Sequence, residues 1–142
     1  MGFDLERFLD AQDRGGTYRR ALAELRTGHK TSHWMWFVFP QRAGLGRSEM
    51  SQRYALGSPA EAHAYVKHEV LGPRLVECAE ALLRHDGVSA AEILGEIDAV
   101  KLHSSMTLFA TVAPEQPVFQ QVLHRFYAGE VDPAGGFAAG EP

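Results

Sequence analysis

Gly28 to Arg53 reads GHKTSHWMWFVFPQRAGLGRSEMSQR. Its first half packs two tryptophans, two phenylalanines, two histidines and a lysine into residues 29–39. A short loop with two glycines and arginines at 42, 47 and 53 follows. Whether the centre, MWFVF, is strand or helix decides whether the chain is helical throughout. Aromatic and β-branched residues suit a short buried strand, but no alternation settles the period, and Pro40 stops either form. Residues 40–53 then read as loop.

Outward from this stretch the signals are helical. Upstream, Asp4 is placed to cap a short helix carrying Leu5, Phe8, Leu9 and Gln12 on one stripe. Gly15-Gly16 breaks it, and Thr17 opens a second helix with Tyr18, Ala21, Leu22 and Leu25 at helical spacing, stopped by Gly28. Downstream, Ser58-Pro59-Ala60-Glu61 is a capping sequence for a helix that turns Ala62, Tyr65 and Val66 inward. Gly72-Pro73 opens a longer helix with Leu75, Val76, Ala79, Leu82 and Leu83 on one side. Ser89 and Glu92 repeat the capping pattern for a short helix ending near Gly95. Asp98 is expected to cap the next, through about Thr111, with Val100, Leu102, Met106 and Phe109 as candidates for burial. Pro117 opens the last, with Val118, Phe119, Val122, Leu123 and Phe126 facing inward. The expectation is a mainly α, single multihelical domain over residues 1–130, with six or seven helices and at most a small strand element. Residues 131–142, rich in Gly, Ala and Pro, read as a loose tail.

The chain has 142 residues, enough to bury about 70% of the surface its unfolded form would expose. Its formal charge of −4 argues against a long nucleic-acid track. The charge is unevenly spread: residues 1–70 hold ten Lys/Arg and eight Asp/Glu, residues 71–142 four and ten. Between Arg14 and Arg53 there are eight basic and two acidic residues, a local patch suited either to a small anion or to a solvated face. The single cysteine, Cys78, excludes an internal disulfide and any zinc site made of several thiolates. The longest apolar run, Trp34 to Phe39, is far too short to span a membrane, and the first residues lack the regions of a signal peptide. A cytoplasmic protein with no membrane partner is the expectation.

Several chemistries can be set aside. His29 and His33 are four apart, which on a helix would share a face. A third ligand is missing, and Lys30, Thr31 and Ser32 stand where a metalloprotease motif needs its glutamate. No metal and no other cofactor is expected. No G-x-S-x-G elbow occurs, and Cys78 beside Glu77 and Glu80 reads as a packing residue. Gly44-Leu45-Gly46 does not extend to a dinucleotide loop. With Arg42, Arg47 and Ser48 it offers backbone N–H groups and guanidinium forks for a phosphate, or a plain surface turn. Trp34 and Trp36 are ring faces on which a base could stack, or core residues. Lys30, His33 and Gln41 are polar neighbours that burial of those rings would bring to the core's edge, where each needs a partner. A second constellation is DAVKLHSSMTLF, Asp98 to Phe109. On a helix Asp98, Lys101, Leu102, Ser105 and Phe109 share a face, so the segment is a surface ion pair or one wall of a pocket facing the aromatic stretch. An acid with donors such as Ser104 and Ser105 around a sugar can stabilise an oxocarbenium-like centre.

Six blocks together resemble a family of small bacterial proteins of unknown function, sometimes mislabelled as calpastatin. They are RFLDAQ from Arg7, the Tyr18–Leu25 helix, GHKTSHWMWFVFPQ from Gly28, GLGRSEMSQRYAL from Gly44, SPAEAHAYVKHEVLGPRL from Ser58 and IDAVKLHSSMTLFA from Ile97. Val66 and Glu69 stand where that family's pattern has Leu and Pro. The chain has none of the repeated inhibitory segments a calpastatin would carry. The family is similar to the NADAR domain, a mostly helical fold whose members cleave N-glycosidic bonds of riboflavin-pathway intermediates or remove ADP-ribose from guanine. The NADAR Glu-His motif is not visible here, so no catalytic residue is carried over. The resemblance implies a helical fold and a small anionic ligand, ribosyl phosphate or nucleotide-like.

Three readings follow. In the first, a small enzyme acts on an N-ribosyl or ADP-ribose-like substrate, with Asp98 as the catalytic acid. Trp34 and Trp36 then stack the base, Gln41 reads its edge, and Arg42, Arg47, Ser48 or Arg53 meets phosphate. Lys30, His33, Lys101, Ser104 and Ser105 orient the ligand. In the second, the same site senses a nucleotide without cleaving it. In the third, the aromatic patch is a protein-protein interface. The first two require the aromatic stretch and the Asp98–Ser105 helix to be neighbours.

Overall fold

The computed structural model describes residues 3–137. Among them are nine α-helices and one 3-10 turn. The helices are α1 (Glu6–Asp13), α2 (Thr17–Thr27), α3 (Met35–Val38), α4 (Glu49–Arg53), α5 (Pro59–Lys67), α6 (Leu71–Leu83), α7 (Ala90–Leu94), α8 (Glu96–Val112) and α9 (Val118–Tyr127), with the turn at Arg14–Gly16. The mainly α expectation holds. No β-ladder forms among the described residues, and a single parallel bridge joins Arg42 and Leu56. No helix among them is long and apolar enough to cross a membrane.

The two helices beyond the expected six or seven lie in the Gly28–Arg53 stretch. MWFVF is not a strand. The Phe37 and Val38 amides donate to the Trp34 carbonyl, the Phe39 amide donates to that of Met35, and Pro40 ends the turn. An unbroken apolar run fits either period, and in an all-helical surround there is no second strand for it to pair with. The supposed loop after it contains α4, started by Ser48, whose side chain accepts from the Ser51 amide.

Other ends follow the local chemistry with small shifts. Gly28 closes α2 with φ at 87°, its amide donating to the Glu24 and Leu25 carbonyls. Ser89 and Glu92 complete a reciprocal capping box. At α5 the Ser58 side chain accepts from the Glu61 amide, but Glu61 reaches one residue further, to the Gly57 amide. Asp4 does not cap α1, which begins after Leu5 without a side-chain cap. Asp98 is no cap either: α8 starts at Glu96, so Asp98 sits in its first turn. Val100 is 66% exposed, not buried. Two residues along a helix is about 200° of rotation, so Val100 cannot share the face of buried Leu102.

α8 packs against α5, α7 and α9, and α6 against α2, α5 and α9, with α1 on α2 and α3. A chain of rings threads the core. Phe8 meets Tyr65 edge-on at 5.0 Å, Tyr65 lies 5.6 Å from Phe109, and Phe109 5.6 Å from Phe119. Cys78 is fully buried, and that burial pushes its thiol up to about 12, which fits a packing role. Residues 131–137, the start of the segment read as a loose tail, are anchored to α8. Asp132 accepts from Ser104 Oγ, its amide donates to Thr107 Oγ1, and Gly135 is buried where an added Cβ would lie 2.8 Å from the Ser104 carbonyl oxygen. The rest of that segment, residues 138–142, lies outside the described residues.

Candidate functional site

The aromatic stretch is held by two helices. From α2, buried Glu24 receives four hydrogen bonds: from the amides of Thr31 (2.9 Å) and Ser32 (3.1 Å), Ser32 Oγ (2.6 Å) and Trp34 Nε1 (2.9 Å). Burial alone would raise this carboxyl. The four donors outweigh it and hold the pKa down at about 2. Trp34 is thereby fully buried, a core residue and not a stacking platform. From α8, Asp98 Oδ2 meets Lys30 Nζ at 2.9 Å, with the two side chains 8% and 17% exposed in the order Lys30, Asp98. Lys30 Nζ also lies 5.1 Å from the centre of the Trp34 ring. The aromatic stretch and the Asp98 helix are therefore neighbours.

Lys101, one turn along α8, is 3.9 Å from Asp98 Oδ1 and 5.6 Å from the centre of the half-buried Trp36 ring. Two ammonium groups face one carboxylate, and the shorter pair belongs to Lys30. The charge of Lys101 is largely left over. It lines a groove of about 330 Å³ between residues 41–51 and the start of α8, with Gln41, Leu45, Gly46, Ser51, Ile97 and Val100. Asp98 lines a separate hollow with Leu94, Gly95, Glu96 and Ile97, so Ile97 is the ridge between the two. Ile97, 75% exposed, and Val100 give the groove an apolar lip.

Other expected site residues do not converge there. Arg42 Nε donates to the Ala134 carbonyl at 2.8 Å and its Nη1 to that of Ala43, so two of its three nitrogens are committed to the C-terminal segment and its own loop. Arg47 and Arg53 are exposed, and no ion pair joins either to an acid among the described residues. Ser48 Oγ is occupied at the start of α4. Gly46 is small for a packing reason: a Cβ there would sit 2.4 Å from Ser51 Cβ. Ser104 donates to Asp132, and this bond together with that from the Ala134 amide holds the Asp132 carboxyl below its usual range against the effect of burial. Ser105 is wholly buried, and its Oγ has no partner. His33 is exposed. His29 and His33 lie in the non-helical link between α2 and α3, so their spacing does not put them on one face. Among the described residues no three His, Cys, Asp or Glu side chains gather as a metal-ligand set.

Glu24, Leu45, Ser51 and Ile97 were not singled out by the sequence. A signal existed for Glu24, since it sits three residues after Ala21 and beside Leu25 in a stripe that is otherwise apolar. An acid at such a position needs donors, and the polar residues 31–32 lie just ahead of the tryptophan. The apolar lip carried no signal, because an isolated Ile or Val at a helix start reads as core.

Two comparisons cover nearly the whole of this architecture. A solved structure, that of the conserved hypothetical protein Rv1873 from Mycobacterium tuberculosis, is similar to the chain with 47% identity over 92% of each chain and a TM-score of 0.89. No curated protein matches the chain. A family model runs from residue 2 to 136, through the pinned aromatic stretch, the loop and α8 alike, and by that match the chain belongs to DUF1810, a family described as protein of unknown function.

Proposed function

We propose that the protein binds a small anionic ligand bearing a planar ring in the groove between residues 41–51 and α8, and holds it without cleaving it. The observation that carries this reading is the leftover charge of Lys101 in a groove with an apolar lip. Lys101 meets a phosphate or carboxylate, Leu45 and Val100 flank the ring, and Gln41 offers both a donor and an acceptor to its edge. An ADP-ribose-like nucleotide has this composition, a ribosyl phosphate supplies its anionic part alone, and the resemblance to the NADAR fold suggests the same class. The single buried cysteine suits a cytoplasmic setting.

A second reading, N-glycosidic hydrolysis, is favoured by one observation: Asp98 keeps some exposure in the adjoining hollow, where a carboxylate could face a ribosyl carbon. Against it, Ile97 separates that hollow from Lys101, and Lys30 already neutralises the acid.

Titration of ¹⁵N-labelled protein with ADP-ribose and with ribose 5-phosphate tests both. Binding without turnover should shift Gln41, Gly46, Val100 and Lys101 saturably, with no free base over hours and roughly tenfold weaker binding in Lys101→Ala. Release of base that disappears in Asp98→Asn would replace this reading with the hydrolase. No shift with either compound would sink both and leave the Ile97–Val100 ridge as a protein contact.

A further inference from the structure

A second concavity, sharing no residue with the groove, lies where α1, the 3-10 turn, α2 and α6 meet. It encloses about 550 Å³, within the usual range of small-ligand sites. Its floor is built from buried polar groups. Gln12, 1% exposed, donates from Nε2 to the Phe37 carbonyl at 2.8 Å and to Tyr65 Oη at 3.1 Å. Its Oε1 accepts from Arg74 Nη1 at 3.1 Å, and Asp13 Oδ1 takes the same nitrogen at 2.9 Å. The Arg74 guanidinium carbon lies 4.7 Å from the centre of the Tyr18 ring.

These contacts fix the plane of Arg74 while using one of its three nitrogens. Its Nε and Nη2 have no protein acceptor among the described residues. The two acids lining the hollow are already engaged. Asp13 pairs with Arg74, while Glu77 accepts from Tyr18 Oη and faces Arg26 at 3.5 Å. Arg19 lines the same hollow, exposed and without an acidic partner among the described residues.

We propose that this hollow binds a small organic carboxylate, received side-on by the Nε–Nη2 edge of Arg74, with Arg19 as the second cation. The planar fork matches a carboxylate's two oxygens. Asp13 and Glu77 stand close enough to repel a doubly charged phosphate more than a monoanion, which sets the class.

The test is an NMR titration of the Arg74 Nε–Hε signal and the Tyr18 amide with the monoanions acetate, butyrate and benzoate, and separately with inorganic phosphate. Ionic strength is held constant with chloride. At least one carboxylate should move both signals saturably at low millimolar concentration, with phosphate at least several-fold weaker. Arg74→Lys, which keeps the charge and the Asp13 pair but loses the fork, should weaken binding about tenfold or more, and Arg19→Gln about threefold. Absence of a saturable shift with all three carboxylates, phosphate binding as tightly, or unchanged affinity in Arg74→Lys would each overturn the proposal. If Arg74→Lys does not fold, Arg19→Gln decides, because that side chain is exposed and an unchanged affinity there overturns it equally.

Discussion

Glu24 on α2 and Asp98 on α8 both hold residues 30–34, and they do so by different chemistry. Glu24 is met only by neutral donors, four of them, and every one is spent on it. Asp98 is met by cations, and there is one more cation than it can neutralise. The first arrangement is closed: its polar capacity is used up inside the fold. The second leaves a charge at the surface, beside a groove. A ligand can use only what the fold has not already consumed, which is why the carboxylate with four donors is the structural one and the ion pair borders the candidate site.

The comparison breaks most visibly at Glu24. Glu24→Ala leaves two backbone amides and the Trp34 indole without their acceptor, and should cost about 3 kcal/mol in urea unfolding. Its pH signature has a definite sign. With the folded pKa lowered from 4.5 to about 2, the stabilisation is full above pH 4.5 and drains away as pH falls from 4.5 towards 2. Glu24→Gln should flatten that acid limb; an unchanged limb would mean that another carboxylate sets it. Asp98→Asn should be milder, about 1–2 kcal/mol, because Lys30 is left charged at 8% exposure but near enough to the surface to find water. Adding Lys30→Met to that variant should recover part of the loss, and full additivity of the two changes would show that the pair carries no coupling. The smallest effect belongs to Lys101→Ala, expected within about 0.5 kcal/mol of the parent in the same unfolding experiment. A loss as large as that of Asp98→Asn would make Lys101 a second structural partner and remove the basis for an anion site.

Much of the helical frame was legible because helix ends are local events. Gly28, Ser58 and Ser89 announce themselves by residue type, and the stripes of α2, α6 and α9 follow from spacing alone. Two kinds of feature were hidden. α3 is a single turn inside a uniformly apolar run, and α4 follows a Gly- and Ser-containing segment, so neither has a period to read. The candidate site divided the same way. Lys30, Asp98 and Lys101 came together because α8 carries two of them and the third lies in a link pinned by Glu24 and the Ile93 carbonyl. Arg42 and Ser104 did not, since their partners lie at Ala134 and Asp132, in a segment whose Gly, Ala and Pro content reads as loose. The segment is held through its own backbone groups, Asp132 and Phe137, and its composition does not reveal them.

The bond from Arg42 to the Ala134 carbonyl has a mechanical consequence. It spans 92 residues of chain and ties the base of the groove loop to the segment that lies on α8. A force applied beyond residue 137 should therefore load Phe137, packed on the core, and with it the bonds from Arg42, Ser104 and Thr107. The rim of the groove and the C-terminal segment are thus one mechanical unit, joined through a side chain 92 residues away in sequence.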